Sequence, residues 1–244
     1  MDAVVGRRPV LELLRAGRAV QRVLVSERVR PAPVLDEIRS LAGQRGVPVE
    51  AAPPEDVDRL ADGGNHQGVV ALTSRFRYTP LPGLLASEAP TLLFLDGVMD
   101  PHNVGSLLRS ADGAGFDGVV IPAHRSVGVT QAVRRVSAGA AEVVPVARVG
   151  NLGAALDEAR RNGVWLVGLD GSGDEDIWSS NLMEPPVGLV LGAEDRGISR
   201  GVRERCDALV RIPSRGRIES LNVAVAGAVA MFEIARRRGH SATL

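Results

Sequence analysis

Lysine is absent from this 244-residue chain: all 29 of its basic residues are arginine. A Walker-type phosphate loop, which depends on its lysine, is therefore excluded. Cysteine occurs once, at Cys206, so no internal disulfide can form, and the usage fits a reducing cytosol. Aromatic residues make up only 3%. No apolar run approaches the ~18 residues that a membrane-spanning helix needs. Arg7 and Arg8 lead straight into a mixed helical pattern, without the basic-then-apolar order of a signal peptide. Together these features predict a cytoplasmic protein with no membrane association. The 29 basic residues meet 29 acidic ones, so no global basic field advertises nucleic acid. The all-arginine set reads as the mark of a GC-rich genome or as a supply of phosphate-binding forks. His66, His102, His124 and His240 are scattered without zinc-ligand spacing, and no metal site is expected. Neither a Gly-x-Gly-x-x-Gly fingerprint nor a nucleophile elbow is present, which removes Rossmann dinucleotide binding and a hydrolytic triad.

What is present is alternation. Residues 1–75 read as a compact α/β module. A helix over Pro9–Ala16 stops at Gly17, a strand follows over Val20–Val25, and a helix covers Val34–Gln44. A short strand over Val47–Glu50, a helix opened by Pro54-Glu55-Asp56 and a strand over Gln67–Thr73 complete it. Phe76–Gly83, with two prolines and a glycine, breaks both periodicities and begins a linker over 76–90. Residues 91–244 resume the pattern, with strands over Thr91–Asp96, Gly118–Ile121, Glu142–Val146, Val164–Leu169, Val187–Leu191 and Ala208–Ile212. Helices are expected over Val104–Ala114, Gln131–Ala138, Leu152–Asn162, Ile198–Arg205 and Ser220–Arg238. In the last of these, Val223, Ala226, Val229 and Ile234 suit a buried face. The order predicts an α/β fold with a mostly parallel sheet covered on both sides.

Three strand-like runs end abruptly in small and polar residues. They are Leu95-Asp96-Gly97 leading to Asp100-Pro101-His102-Asn103, then Leu191-Gly192-Ala193-Glu194, then Arg211-Ile212-Pro213 with Ser220-Leu221-Asn222 beyond. Ligands of open α/β sheets sit at the carboxyl ends of strands, and small residues there leave backbone groups accessible. The three clusters therefore predict one composite site. Each member also has a plain structural reading: Asn103 as a helix cap, Arg109 as the partner of a surface acid, Glu194 as a first-turn acid, Ser220 and Asn222 as caps of the last helix. Cys206 reads as a small core residue rather than a nucleophile.

Taken together, Asp96-Gly97-x-x-Asp100-Pro101-His102-Asn103-x-Gly105 with Leu108-Arg109-Ser110-Ala111, then Leu191-Gly192-Ala193-Glu194-x-x-Gly197, then Ile212-Pro213…Ser220-Leu221-Asn222-Val223 resemble the three ordered motifs of the SpoU (TrmH) methyltransferases. These belong to the SPOUT superfamily. The resemblance covers about residues 91–238, and Arg134–Glu142 also looks like the family's segment before its third strand. His66-Gln67-Gly68-Val69 and Gly6-Arg7-Arg8-Pro9-Val10 look like the amino-terminal domain of the subgroup that modifies a guanosine of 23S rRNA. That opening more commonly reads Gly-x-His-Ala-Val.

The resemblance implies a division into a small N-terminal RNA substrate-binding domain (1–75), similar to a ribosomal-protein-type RNA binder, the linker, and a SPOUT methyltransferase domain (91–244) with a deep trefoil knot. It implies S-adenosyl-L-methionine (AdoMet) as cofactor, held by the backbone around Gly192, Ile212 and Leu221. It implies transfer of a methyl group to a ribose 2′-hydroxyl, with Asn103, Arg109, Glu194, Ser220 and Asn222 as the catalytic set and no metal. RNA, most simply 23S rRNA, would be the substrate partner, and a second copy of the chain would join through the knot region as a homodimer. Arg7, Arg8, Arg15 and Arg22 are the candidate phosphate contacts. A tRNA enzyme, a resistance enzyme acting on rRNA and a non-catalytic ribosome-assembly factor are the rival readings.

Overall fold

The computed structural model describes residues 2–214, 216 and 221–241. Along the chain the elements begin with β1 (Asp2–Val5), α1 (Arg7–Arg15), β2 (Val20–Ser26), α2 (Pro33–Gln44), β3 (Val49–Ala52), α3 (Pro54–Ala61) and β4 (Val69–Thr73). They continue with α4 (Leu81–Leu84), β5 (Thr91–Asp96), α5 (Pro101–Gly113), β6 (Gly118–Pro122), α6 (Gln131–Val136), α7 (Ala140–Val143), β7 (Val146–Val149) and α8 (Leu152–Arg161). The last are β8 (Trp165–Leu169), β9 (Glu175–Asp176), β10 (Val187–Gly192), α9 (Arg200–Arg203), β11 (Ala208–Arg211) and α10 (Val223–Ser241). The chain forms an α/β protein of two compact units. One comprises Met1–Arg77 and Val129–Val143, the other Tyr78–Gly128 and Val144–Leu244.

The first unit is built on a mixed four-stranded sheet in the order β1-β4-β2-β3. Neighbouring strand residues point to opposite faces, so each strand feeds two cores. Val4, Val23, Val25, Val69 and Ala71 pack with Leu11, Leu14, Leu35 and Ile38 of α1 and α2. Val5, Leu24 and Val70 face the other way, onto Val57 and Ala61 of α3. The strand β1 is an addition to the elements read from sequence. So is the return of α6 and α7, which pack on β1 and α1 of this unit.

That return corrects the strand expected over Glu142–Val146, since Ala140–Val143 is helical and the strand starts at Val146. Glu142 and Arg134 are 2% and 3% exposed, and Arg134 Nε donates to Glu142 Oε1 at 2.6 Å. A carboxylate so deeply buried needs a cation in reach, and helical turns on both sides of Ser137 supply one. The apolar look of the segment concealed this.

The second unit carries an all-parallel seven-stranded sheet, ordered β7-β6-β5-β10-β8-β11-β9. The segment expected as a linker packs on this unit: Leu81, Leu84 and Leu85 are buried with Leu92, Phe94, Val120 and Ala147. All strands run the same way, so their carboxyl ends lie along one edge. Gly192 of β10 stands opposite Asp96 of β5, Leu191 opposite Leu169 of β8, and Leu169 opposite Val210 of β11. The helix α10 packs on α5 and β10. It starts at Val223 rather than Ser220, and Ser220 lies outside the described residues. Its buried hydrophobic positions are Ala224, Ala230, Met231 and Ile234, whereas Val223, Ala226 and Val229 are only half-buried.

Candidate active site

The helix α5 begins where β5 ends, and its cap is Asp100, whose Oδ1 accepts the His102 N–H at 2.9 Å. Pro101 occupies the first turn, where no N–H is needed. Asn103 is therefore released from capping and is turned inward, 8% exposed. Its Nδ2 donates to Glu194 Oε1 at 2.6 Å, and its Oδ1 accepts from Asn222 Nδ2 at 3.0 Å. Asn222 Oδ1 is already occupied by the N–H groups of Ala224 and Val225, at 2.9 and 3.3 Å, where it caps α10. The direction of the chain follows: Asn222 donates to Asn103, which donates to Glu194. Each of the three motifs contributes one member.

Beside this chain lies a cavity of about 460 Å³ at the carboxyl edge of β8 and β10, within the range of small-ligand sites. Gly192, Glu194, Ile212, Leu221 and Asn222 are in its wall, with Asp170 from the end of β8. Among the described residues the main chains of Ile212 and Leu221 make no hydrogen bond, so both offer an N–H and a carbonyl. Burial raises the affinity of the Asp170 carboxyl for its proton. Hydrogen bonds from the Ser172 side chain and backbone and from Arg203 outweigh it and hold the group below the usual carboxylate range. Asp170 extends the strand-end pattern to β8, and applying that rule to every strand would have found it.

Gly192 has a reason of its own. A Cβ there would stand 2.0 Å from the Gly197 carbonyl carbon and 2.2 Å from Ile198 N. The chain turns back on itself, with Ala193 and Gly197 exchanging two backbone hydrogen bonds of 3.0 and 2.9 Å. The close approach that glycine permits here is by the protein's own backbone. Nearby, Asp96 Oδ2 accepts the Ser199 N–H at 2.7 Å, tying the end of β5 to the same loop.

Arg109 sits six residues after Asn103, about 9 Å further along α5 and on another face. It is exposed, outside the cavity wall, and makes no hydrogen bond or ion pair among the described residues. In the first unit, Arg15 pairs with Glu12 at 2.8 Å and with Glu37, and Arg22 pairs with Glu50 at 3.1 Å. Arg7 spends Nε and Nη2 on the carbonyls of Gln67 and Arg30. Arg8 is exposed, and its side chain has no partner among the described residues. Among the described residues no group of three or more His, Cys, Asp or Glu is placed to hold a metal ion, and no helix is long and apolar enough to cross a membrane.

Residues 90–232 match the SpoU rRNA methylase family, and residues 3–79 match the RNA 2′-O ribose methyltransferase substrate-binding family. The chain belongs to the SpoU/TrmH family. The TrmH family protein YacO of Bacillus subtilis is 38% identical, covering 97% of this chain and 96% of its own length. A TrmH family protein of Staphylococcus saprophyticus is 37% identical over the same shares. Among solved structures, the SpoU methyltransferase AviRb of Streptomyces viridochromogenes in complex with AdoMet superposes with a TM-score of 0.82 at 28% identity, covering 98% of this chain and 90% of that one. An AdoMet-bound rRNA methyltransferase of Sinorhizobium meliloti gives 0.80 at 27%, covering 97% and 87%. In this SpoU/TrmH chain the site thus falls inside the family-matched residues, and Arg7, Arg8, Arg15 and Arg22 fall inside the substrate-binding match.

Proposed function

We propose that this SpoU/TrmH member methylates a ribose 2′-hydroxyl of RNA using AdoMet, with a guanosine of 23S rRNA as its target. One observation carries the reading: Asn222, Asn103 and Glu194 form a single hydrogen-bonded chain beside a cavity lined by Ile212 and Leu221, whose main chains make no hydrogen bond among the described residues. The residues fit such a cofactor. Leu191, Leu221 and Val223 give apolar wall, the open N–H and carbonyl groups suit a purine edge, and Asp170 and Glu194 suit cationic groups. When bound, AdoMet supplies a methyl group on a positively charged sulfur.

The chain's own residues then have to hold the ribose oxygen in line and ease removal of its proton. Glu194 and Asn103, fixed by each other, position the ribose. The planar guanidinium of Arg109 acts as a fixed cation rather than as a base. It orients the target phosphate and favours the ionised hydroxyl. Asn222 caps α10, and Ser220 is assigned a contact to substrate or cofactor on its place in the third motif alone. The first unit supplies RNA affinity, and the rRNA target rests on its His66-Gln67-Gly68-Val69 and Gly6–Val10 segments. The homodimer is assigned to the knot region, where α10 leaves Val225 and Phe232 51% and 52% exposed.

Mapping of ribose methylation in total RNA from cells with and without the gene tests this directly. One 23S guanosine should lose its methyl group. Loss at a tRNA position would replace the target, and no lost site at all would remove the enzymatic reading.

A further inference from the structure

The first unit holds a second concavity, of about 540 Å³, where three loops meet. Arg7 comes from the start of α1, Arg28 and Arg30 from the loop after β2, and His66 and Gln67 from the loop before β4. Its wall contains three arginines and no carboxylate. Other arginines of this unit are neutralised: Arg15, Arg22, Arg39 and Arg59 all stand against Glu or Asp side chains. The side chains of Arg28 and Arg30 are exposed and make no hydrogen bond or ion pair among the described residues.

The walls are fixed in place. Arg7 is held by two carbonyls, Gln67 O at 2.9 Å and Arg30 O at 3.1 Å, which joins the first loop to the other two. Ser26 N donates to Gly68 O at 2.8 Å, and Gly6 N to Val69 O at 3.0 Å. Gly68 adopts φ +80°, and a Cβ there would meet Val29 at 2.3 Å, so only glycine allows the loops to close. His66 Nδ1 accepts the Gly68 N–H at 2.9 Å, so the proton sits on Nε2, which donates to Asp58 at 2.8 Å.

From this geometry we infer that the cleft of Arg7, Arg28 and Arg30 is the site at which the first unit grips the phosphodiester backbone of RNA, and that Arg15 and Arg22 are not. The inference rests on the RNA-methylating reading above. The planar guanidinium forks of Arg28 and Arg30, free of internal partners among the described residues, match paired phosphate oxygens, and Arg7, held by its two carbonyls, adds a fixed positive charge. Arg15 and Arg22 would have to break ion pairs to do the same.

The test uses the full-length protein, with total RNA from a strain lacking the gene as probe. Filter binding across a salt series is expected to show that Arg28→Ala combined with Arg30→Ala weakens RNA binding about tenfold at moderate salt. The slope of log affinity against log salt should shrink by about 0.7 for each phosphate no longer neutralised. The Arg28→Lys, Arg30→Lys pair should keep most of that slope. Arg15→Ala with Arg22→Ala should bind as wild type, and AdoMet affinity by calorimetry should be unchanged throughout. In methyl transfer the alanine pair should raise KM for RNA and leave kcat near wild type. Wild-type RNA binding by the Arg28, Arg30 alanine pair would overturn the cleft, as would loss confined to the Arg15, Arg22 pair. Failure of the methyltransferase reading shows separately, as a wild-type protein that transfers no methyl group to this RNA.

Discussion

Asn103 and Glu194 lie 91 residues apart in sequence and 2.6 Å apart in space, amide nitrogen to carboxylate oxygen. One stands in the first turn of α5 and the other just beyond β10, and the pairing of β5 with β10 brings those two ends side by side. Glu194 is thereby aimed by a neighbour that is itself aimed by Asn222.

Asn103→Ala should therefore disarm the site without emptying it. Misplacing a positioning group by about 1 Å costs on the order of a hundredfold in rate, so single-turnover methyl transfer should fall by about that factor. Glu194 and Asn222 each lose a partner, at about 1–2 kcal/mol of stability in urea titration.

Arg109→Ala should lose activity without the cost in stability. The side chain is exposed and free of internal bonds among the described residues, so the melting temperature and AdoMet affinity should stay at wild-type values while methyl transfer is lost. Calorimetry alongside a turnover assay separates the two, and equal loss of both would contradict the assigned role.

Breaking the Arg134–Glu142 pair from one side should be far more damaging to stability. Arg134→Met leaves a carboxylate that is 2% exposed without its cation, which costs about 3–5 kcal/mol. Adding Glu142→Leu to Arg134→Met should recover much of that loss, because no charge then remains buried. Urea midpoints for the two single variants and the double decide the matter.

Glu233, held by Arg236 hydrogen bonding against the cost of burial and helped by Arg237, has its carboxyl pulled down from 4.5 to about 2. Because the folded form titrates below the unfolded one, the stabilisation is complete above 4.5 and is lost as pH falls towards about 2. Glu233→Gln should flatten the fall in melting temperature over that interval and lower it at neutral pH. The same region matters mechanically, since Arg237 donates to the carbonyls of Ile177, Trp178 and Ser180.

Cys206 should resist thiol reagents in the native state. Burial, followed by the neighbouring Asp207 charge, pushes its thiol up to about 12, and it packs at the edge of the second unit's core. Labelling with a disulfide reagent at pH 8 should proceed only after denaturant is added. Fast native labelling would contradict this account.

How far the sequence could be read depended on the range of the interaction. Thr91–Asp96 and Val187–Gly192 are apolar runs bounded by turn residues, and local pattern sufficed to place them. Asn103, Glu194 and Asn222 each looked like an ordinary cap or first-turn residue, and only their joint wording marked them out. Their hydrogen bonds depend on strand order, which no local window contains. Glu142–Val146 misled for the same reason: Glu-Val-Val-Pro-Val has the valines of a strand, and the partner that lets Glu142 be buried lies eight residues back. Gly192 was legible as a special position while its cause was not, since the backbone it accommodates is five residues further on.

The discontinuity of the first unit has a practical meaning for anyone who would move it. Cutting after Arg77 separates β1 and α1 from α6 and α7, stranding Arg134 and Glu142 on the wrong side of the cut. A graft onto another enzyme must carry both stretches, or supply residues to replace Val133, Ala140 and Ala141 where they fill the unit's interior. Recombination at the apparent border would yield two incomplete halves.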